Sequence, residues 1–156
     1  MCINKMLCFR TVISEHLEFE QLSEIDDLLK LKVKGESSGF AGTADCYVNE
    51  AQFQAFCAQL SGFPKKREDR VQFCFGENDQ LSYFNIKFSC IDSSGRILAA
   101  IQIVSRGTRY PREKVCFVAS FSFKVEPAAF DRFVKGLSRV AVINNVGLKA
   151  ALVNET

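Results

Sequence analysis

Apolar and polar residues alternate along several segments of the chain, with the period of two that is typical of β-strands. Residues 29–34 alternate leucine or valine with lysine, and a turn at 35–39 leads into a second alternating segment at 40–48. The same period returns at 71–75 and, after a turn, at 84–90. Because turn-forming glycine, serine and asparagine separate the members of each pair, the pattern predicts two β-hairpins.

Two other segments have the spacing of amphipathic helices. Asn49 can cap the first helix, with Gln52 placed to reach back as in a capping box, and Pro127 suits the first turn of the second. The apolar stripes recur at i, i+3, i+4 and i+7. They consist of Phe53, Phe56, Cys57 and Leu60 in the first helix, and of Phe130, Phe133, Val134 and Leu137 in the second.

The remaining segments complete an α+β pattern. Residues 97–104 are nearly all apolar, which predicts a central strand covered on both faces, and a long loop at 105–114 leads to a further strand at 117–125. The tail at 141–156 allows more helix. We therefore predict a single domain over 1–156, with a mostly antiparallel sheet of about six strands in the order β-β-α-β-β-β-β-α and both helices on one face.

The opposite face of that sheet would carry apolar side chains. They are Cys74, Leu98, Val104, Cys116 and Val118. A face of this kind needs a cover, which leaves two options: the N-terminal segment, or a second copy of the chain in a homodimer.

The acidic N-terminal segment, residues 1–27, has no clear secondary structure. Ser14 can cap a helix that runs to Asp27, whereas Leu17 and Phe19 alternate as in a strand. The sequence leaves both interpretations open.

Composition narrows the class of protein. Seven cysteines without a CxxC pair predict reduced thiols, no zinc or other metal site, and a cytoplasmic protein. Cys46, Cys57 and Cys90 fall on apolar strand or helix faces, which predicts core packing. No apolar run approaches the length of a membrane span, and residues 1–10 do not have the pattern of a signal peptide.

Catalytic motifs are missing from the sequence. His16 is the single histidine, and no GxSxG, HExxH, GxxxxGK[ST] or GxGxxG pattern occurs. We expect a protein that is not an enzyme and that needs no cofactor.

Charge is unevenly distributed, although the net charge of +2 selects no partner. The segment from Glu15 to Asp27 contains acids but no lysine or arginine, which makes it a candidate docking surface for a cationic partner. The ordinary alternative is an acidic face that is only exposed to solvent. Its acids are Glu15, Glu18, Glu20, Glu24, Asp26 and Asp27.

Two predicted loops, 65–70 and 106–114, are basic. If they share one edge of the sheet, they form an anion-binding surface on which Tyr110 can stack against a base. The alternative function is therefore a nucleic-acid or polyanion-binding module. Its residues are Lys65, Lys66, Arg67, Arg70, Arg106, Arg109, Tyr110, Arg112 and Lys114. The ordinary alternative is a pair of solvated loops, because Glu68, Asp69 and Glu113 interrupt the basic runs.

The segment from Ser38 to Gly42, followed by Tyr47-Val48 and a helix with Phe53 and Phe56, resembles the small bacterial immunity proteins related to WapI. The closing strand and helix of that family are similar to residues 117–137, so the resemblance covers about 29–137. It implies a non-enzymatic cytoplasmic protein that binds and blocks the nuclease domain of a cognate toxin.

Overall fold

The computed structural model describes residues 15–76, 81–142 and 144–154. These residues form eight strands and two helices. In chain order they are β1 (Glu15–Ile25), β2 (Leu28–Ser37), β3 (Phe40–Asn49), α1 (Glu50–Leu60), β4 (Arg70–Phe75), β5 (Tyr83–Cys90), β6 (Ile97–Arg109), β7 (Glu113–Val125), α2 (Pro127–Val140) and β8 (Lys149–Val153).

The strands form two antiparallel sheets of four. Sheet A has the order β3-β2-β1-β8 and sheet B the order β4-β5-β6-β7. The α+β class is confirmed, but the prediction of one sheet of about six strands is wrong. Because the inner faces of both sheets bury their apolar residues in one continuous cluster with the helices, neither sheet has a core of its own.

The two additional strands come from the segments that the sequence left ambiguous. Residues 15–25 of the acidic segment are strand β1, not a helix, and the C-terminal tail contains β8, which pairs with β1. The predicted loop at 105–114 is also wrong. Strand β6 continues to Arg109 and β7 begins at Glu113, so only a short turn separates them.

Phe19 lies where the two sheets and the two helices meet. Its ring is 5.2 Å from that of Phe84 in sheet B, 6.3 Å from Phe53 in α1 and 5.9 Å from Phe133 in α2, measured between centroids. The helices therefore share their apolar stripes with the inner faces of both sheets, and do not cover one face of a single sheet as predicted.

The helix signals in the sequence are confirmed. The Asn49 side chain accepts a hydrogen bond of 3.2 Å from the backbone N–H of Gln52, and α2 begins at Pro127. The predicted stripes of α1 and α2 are buried, with Val140 added to the second. Neither α1 nor α2, the helices of the described ranges, is long and apolar enough to cross a membrane.

The outer face of sheet B differs from its prediction. Val104 is buried and Leu98 is half-buried, but Cys74, Cys116 and Val118 are exposed. Residues 15–25 of the N-terminal segment do not cover this face, because β1 pairs into sheet A and buries its apolar residues on the inner side. Residues 1–14 of that segment lie outside the described residues. Residues 97–104 of strand β6, which were predicted to be covered on both faces, are fully buried on their inner face and only partly buried on their outer face.

Candidate protein-binding surface

The acidic residues of β1 reach the surface only through their side chains. Strand alternation buries Leu17, Phe19 and Gln21 in the core and turns Glu18 and Glu20 to the outer face of sheet A. The segment proposed as a docking surface therefore also contains β1, a structural strand of sheet A. Its backbone lies between β2 and β8, and the strand determines on which face Glu18 and Glu20 lie.

Cations from both neighbouring strands face Glu18 and Glu20. Lys34 lies opposite Glu18 and Lys32 opposite Glu20 on β2, while Lys149 of β8 places its Nζ 3.5 Å from a carboxylate oxygen of each glutamate. The carboxylates of Glu18 first and Glu20 second raise the pKa of Lys149. This part of the acidic run is thus a ladder of mixed charge.

Glu15 is also engaged within the fold. Its carboxylate accepts hydrogen bonds from Ser37 Oγ at 3.3 Å and from Asn154 Nδ2 at 2.6 Å, and its backbone oxygen accepts from the N–H of Asn154. Glu15 therefore joins the end of β2 to the end of β8, and its carboxylate is only partly available to a partner.

The remaining acids gather at the hairpin tip, residues 24–28, where β1 turns into β2. Asp26 and Asp27 form a two-residue turn, and Asp26 has φ 53°, a conformation that aspartate tolerates better than most residues. Asp27 accepts from Asn49 Nδ2 at 3.0 Å, and Glu24 accepts from the N–H of Asn144. These bonds tie the tip to the rest of the fold.

The hairpin tip combines exposed apolar and acidic groups. Ile25 is 62% exposed and Leu28 is 41% exposed, on either side of the exposed Asp26 and Asp27. Within the described ranges, Glu24, Asp26 and Asp27 form no salt bridge. An apolar centre with unneutralised carboxylates around it can pack on a partner and attract a cationic one.

The two basic loops lie at opposite ends of sheet B. Arg70, at the start of β4, lies in the same row of cross-strand pairs as Leu98, which is at the start of β6. Arg109 lies at the other end of β6. Arg109 lies eleven positions after Leu98 along the strand, a distance of about 36 Å. The sequence condition for a shared anion-binding edge is therefore not met, because the loops do not come together.

Each basic loop has its own local structure. In the first, the Asp69 carboxylate accepts hydrogen bonds from the backbone N–H groups of Lys65 and Lys66, at 2.8 and 2.9 Å. In the second, the Arg109 guanidinium lies 5.4 Å from the ring centroid of Phe117, and Tyr110 is 98% exposed at the turn. The second loop thus presents an aromatic ring next to a cation.

The cysteines predicted to lie in the core do so. Cys46, Cys57 and Cys90 are buried. Burial raises the pKa of the Cys57 thiol to about 12, and burial followed by the nearby Asp45 charge raises that of Cys46 to about 12. Both thiols are therefore protonated at neutral pH and are poor nucleophiles.

No other arrangement for catalysis or metal binding stands out in the described part of the chain. His16 lies on the outer face of β1, with its Nδ1 4.0 Å from a carboxylate oxygen of Glu36. No group of three His, Cys, Asp or Glu side chains among the described residues is placed to hold a metal ion.

Comparison with protein-family models, with curated proteins and with solved structures finds no match to this chain. The WapI-like resemblance therefore rests on the sequence features alone.

The sequence identified the six acids, but it could not show which of them lie next to lysines and which lie at the hairpin tip. The register that places Lys32 and Lys34 beside β1 depends on the hairpin turn, and Lys149 lies 131 residues from Glu18 along the chain. Sequence reasoning also missed Ile25 and Leu28 as exposed apolar residues. Their place next to the adjacent Asp26 and Asp27, a pair typical of turns, is the signal that could have found them.

Proposed function

We propose that the protein acts in the cytoplasm by binding another protein, without catalysis, and that the hairpin tip is part of its docking face. The proposal rests on one observation: Ile25 and Leu28 are exposed beside Asp26 and Asp27, whose carboxylates meet no cation among the described residues. Burying two such apolar side chains favours association, and the acids select a cationic surface.

The partner that fits this chemistry is a nuclease domain. A nuclease needs a cationic cleft to hold phosphates, and an inhibitor that supplies carboxylates satisfies those cations and accelerates encounter. The resemblance to WapI-related immunity proteins supports the same class of partner. We therefore infer that the chain neutralises a cognate nuclease toxin.

The six acids contribute unequally in this proposal. Glu18 and Glu20 lie against Lys149, and two lysines of β2 face them, so their field at a distance is largely cancelled. Asp26 and Asp27 project from the tip, with Glu24 beside them. Most of the electrostatic attraction is expected from these three residues.

The direct test is protection of cells. A toxin domain encoded beside the gene for this chain would be expressed with and without the chain, and growth would be measured. We expect co-expression to restore growth.

The purified toxin domain should bind the chain, and the double change Glu24→Gln with Asp26→Asn should slow association several-fold at low salt and much less at high salt.

Glu18→Gln with Glu20→Gln is the matched control, because it removes the same charge from the same hairpin. We expect it to change the association rate less than the tip variant does. Equal slowing by both pairs would contradict the role of the tip, and failure of the chain to bind or protect against that toxin would contradict the immunity function.

A polyanion-binding module remains the alternative, and the exposure of Tyr110 next to Arg109 favours it. Each basic loop would then bind by itself. RNA binding that weakens steeply with salt, and that falls when Arg106, Arg109 and Arg112 are changed to alanine, would support this function. Undetectable or salt-insensitive RNA binding would remove it.

A further inference from the structure

Strand β7 is an unusual edge strand. Of the two edges of sheet A, β8 has five residues and carries Lys149, and β3 carries Asp45. In sheet B, the edge strand β4 has six residues and begins with Arg70. Strand β7 has 13 residues, and its central run at 115–123 contains no charge, proline or glycine. Edge strands are normally protected by such residues, because their unpaired backbone groups can bind another strand.

The free edge of β7 is accessible. Cys116, Phe117 and Val118 are exposed, and Val118 is 59% exposed. The register with β6 runs from Ile97–Val125 to Arg109–Glu113 without a bulge, so nothing twists the edge away. In the described part of the chain, β6 is the one strand that pairs with β7.

A groove of about 430 Å³ lies beside this edge, between β3 and β7. Ala41 and Thr43 line it on one side, Phe117 and Ala119 on the other, with Ser105 between them. A strand added to β7 would place alternate side chains on the inner side of the sheet, next to this groove. Main-chain bonds then give affinity, while the groove selects an apolar side chain.

The charges at the two ends of the run select the occupant. Lys114 precedes the uncharged run and Lys124 follows it. Arg112 and Glu113 lie before Lys114, and Glu113 faces Arg109 of β6, so the first end keeps a positive balance. A second copy of the chain that covers the whole run in antiparallel orientation has Ala119 at its centre, and therefore sets Lys114 of each copy against Lys124 of the other. Like charges opposite one another disfavour that pairing.

We propose that β7 is a strand-addition site for an extended segment of a partner protein, apolar at its centre and acidic at both ends. This surface is separate from the hairpin tip, so the inference does not rest on the function proposed above.

The proposal can be tested with two synthetic peptides. Both alternate valine and threonine, and they end in two glutamates or in two lysines on each side. Fluorescence anisotropy should show the glutamate peptide binding at least about tenfold more tightly than the lysine peptide. Hydrogen exchange should show that the peptide protects amides within 115–123.

Reversal of the end charges gives the sharpest comparison. The double change Lys114→Glu with Lys124→Glu should invert the preference, so that the lysine peptide binds more tightly. Val118→Glu should weaken binding of the glutamate peptide by about tenfold, because it places a carboxylate within the apolar part of the pairing. Leu81→Glu is the matched control, since Leu81 is 54% exposed and lies outside β7.

Three results would overturn the proposal. Equal binding of the two peptides would remove the selection by charge, and absence of protection within 115–123 would place any binding elsewhere. Sedimentation of the chain alone as a dimer that Val118→Glu dissociates would show that a second copy occupies the edge.

Discussion

The Gln21 side chain donates a hydrogen bond of 2.8 Å to the backbone carbonyl of Val140, the last residue of α2. Its Nε2 also donates to the carbonyl of Val142 at 2.8 Å. Carbonyls at a helix C-terminus have no partner within the helix, so a fully buried glutamine from β1 satisfies one of them, together with the carbonyl of Val142 just beyond the helix. Gln21 thereby joins the strand, the helix end and the segment that leads to β8.

Gln21→Met tests the contribution of these hydrogen bonds to stability separately from that of packing, because methionine is apolar and has nearly the same length as glutamine. The change leaves buried carbonyls without a donor, and we expect it to lower the free energy of unfolding by about 1–3 kcal/mol. Urea denaturation measures the loss. Gln72→Met on the exposed side of β4 is the control, with an expected change within about 0.5 kcal/mol. Because Gln21 Oε1 is buried and has no hydrogen-bond partner among the described residues, its removal offsets part of the loss. Equal losses would mean that the two donated bonds do not exceed this offset.

The same residue explains why β1 could not be assigned from the sequence. A polar glutamine occupies the third inward position after Leu17 and Phe19, and the register with β2 shifts between Gln21 and Ser23. The shift changes the phase of the pattern, so Leu22 and the residues after it also fit a helix. Pairing with β8, more than a hundred residues away, decides between the two.

The elements that depend on local signals were predictable. The Asn49 cap and Pro127 start fixed both helices, and the turn residues located the hairpins. The division of the strands into two sheets was not predictable. Alternation shows that a strand has an inner face, but it does not show to which sheet the strand belongs.

Gly42 is a position where the two sheets approach each other closely. The strand 40–48 carries small residues on one face, and a Cβ atom added to Gly42 would lie 2.8 Å from Cβ of Ala119 in β7. A methyl group therefore cannot be added without moving one strand. The contact depends on the absence of a side chain, and not on backbone conformation.

Gly42→Ala should destabilise the fold by about 1–3 kcal/mol through overpacking. Ala119→Gly in the same chain should restore part of that loss, because it removes the atom that the new methyl group meets. Gly107→Ala is the control: its added Cβ would be 3.8 Å from Val115 Cγ2, an ordinary contact. Thermal unfolding of the unchanged protein, Gly42→Ala, Ala119→Gly and the double variant forms a double-mutant cycle, and additive effects at 42 and 119 would argue against the contact.

The candidate docking surface illustrates the same limit of sequence reasoning. Six acids without an intervening cation look like one charged surface along the chain. Cross-strand neighbours then separate Glu18 and Glu20, which face Lys149, from Asp26 and Asp27 at the hairpin tip. Charge along a strand is therefore informative about a surface only after its pairing partners are known.

A pH dependence is expected from the turn between β5 and β6. Asp92 Oδ1 accepts from the hydroxyl and N–H of Ser94 at 2.6 and 2.9 Å, and from the N–H of Arg96 at 3.1 Å. These bonds favour the ionised carboxylate, and the Ser94 hydroxyl contributes most to holding the pKa of Asp92 below its ordinary value of 3.8.

Because the pKa of Asp92 is lower in the folded protein than in the unfolded chain, its ionisation stabilises the fold above the ordinary pKa of 3.8, and the contribution disappears as pH falls through the lowered value. Asp92→Ala should therefore lower the thermal midpoint near neutral pH, and the difference from the unchanged protein should shrink below about pH 4. Asp92→Asn, which keeps an acceptor oxygen without the charge, should be less destabilising than Asp92→Ala near neutral pH. Its difference from the unchanged protein should also shrink in acid, because only the unchanged protein titrates at position 92. A difference that persists undiminished in acid would show that the carboxylate charge is not what stabilises the turn.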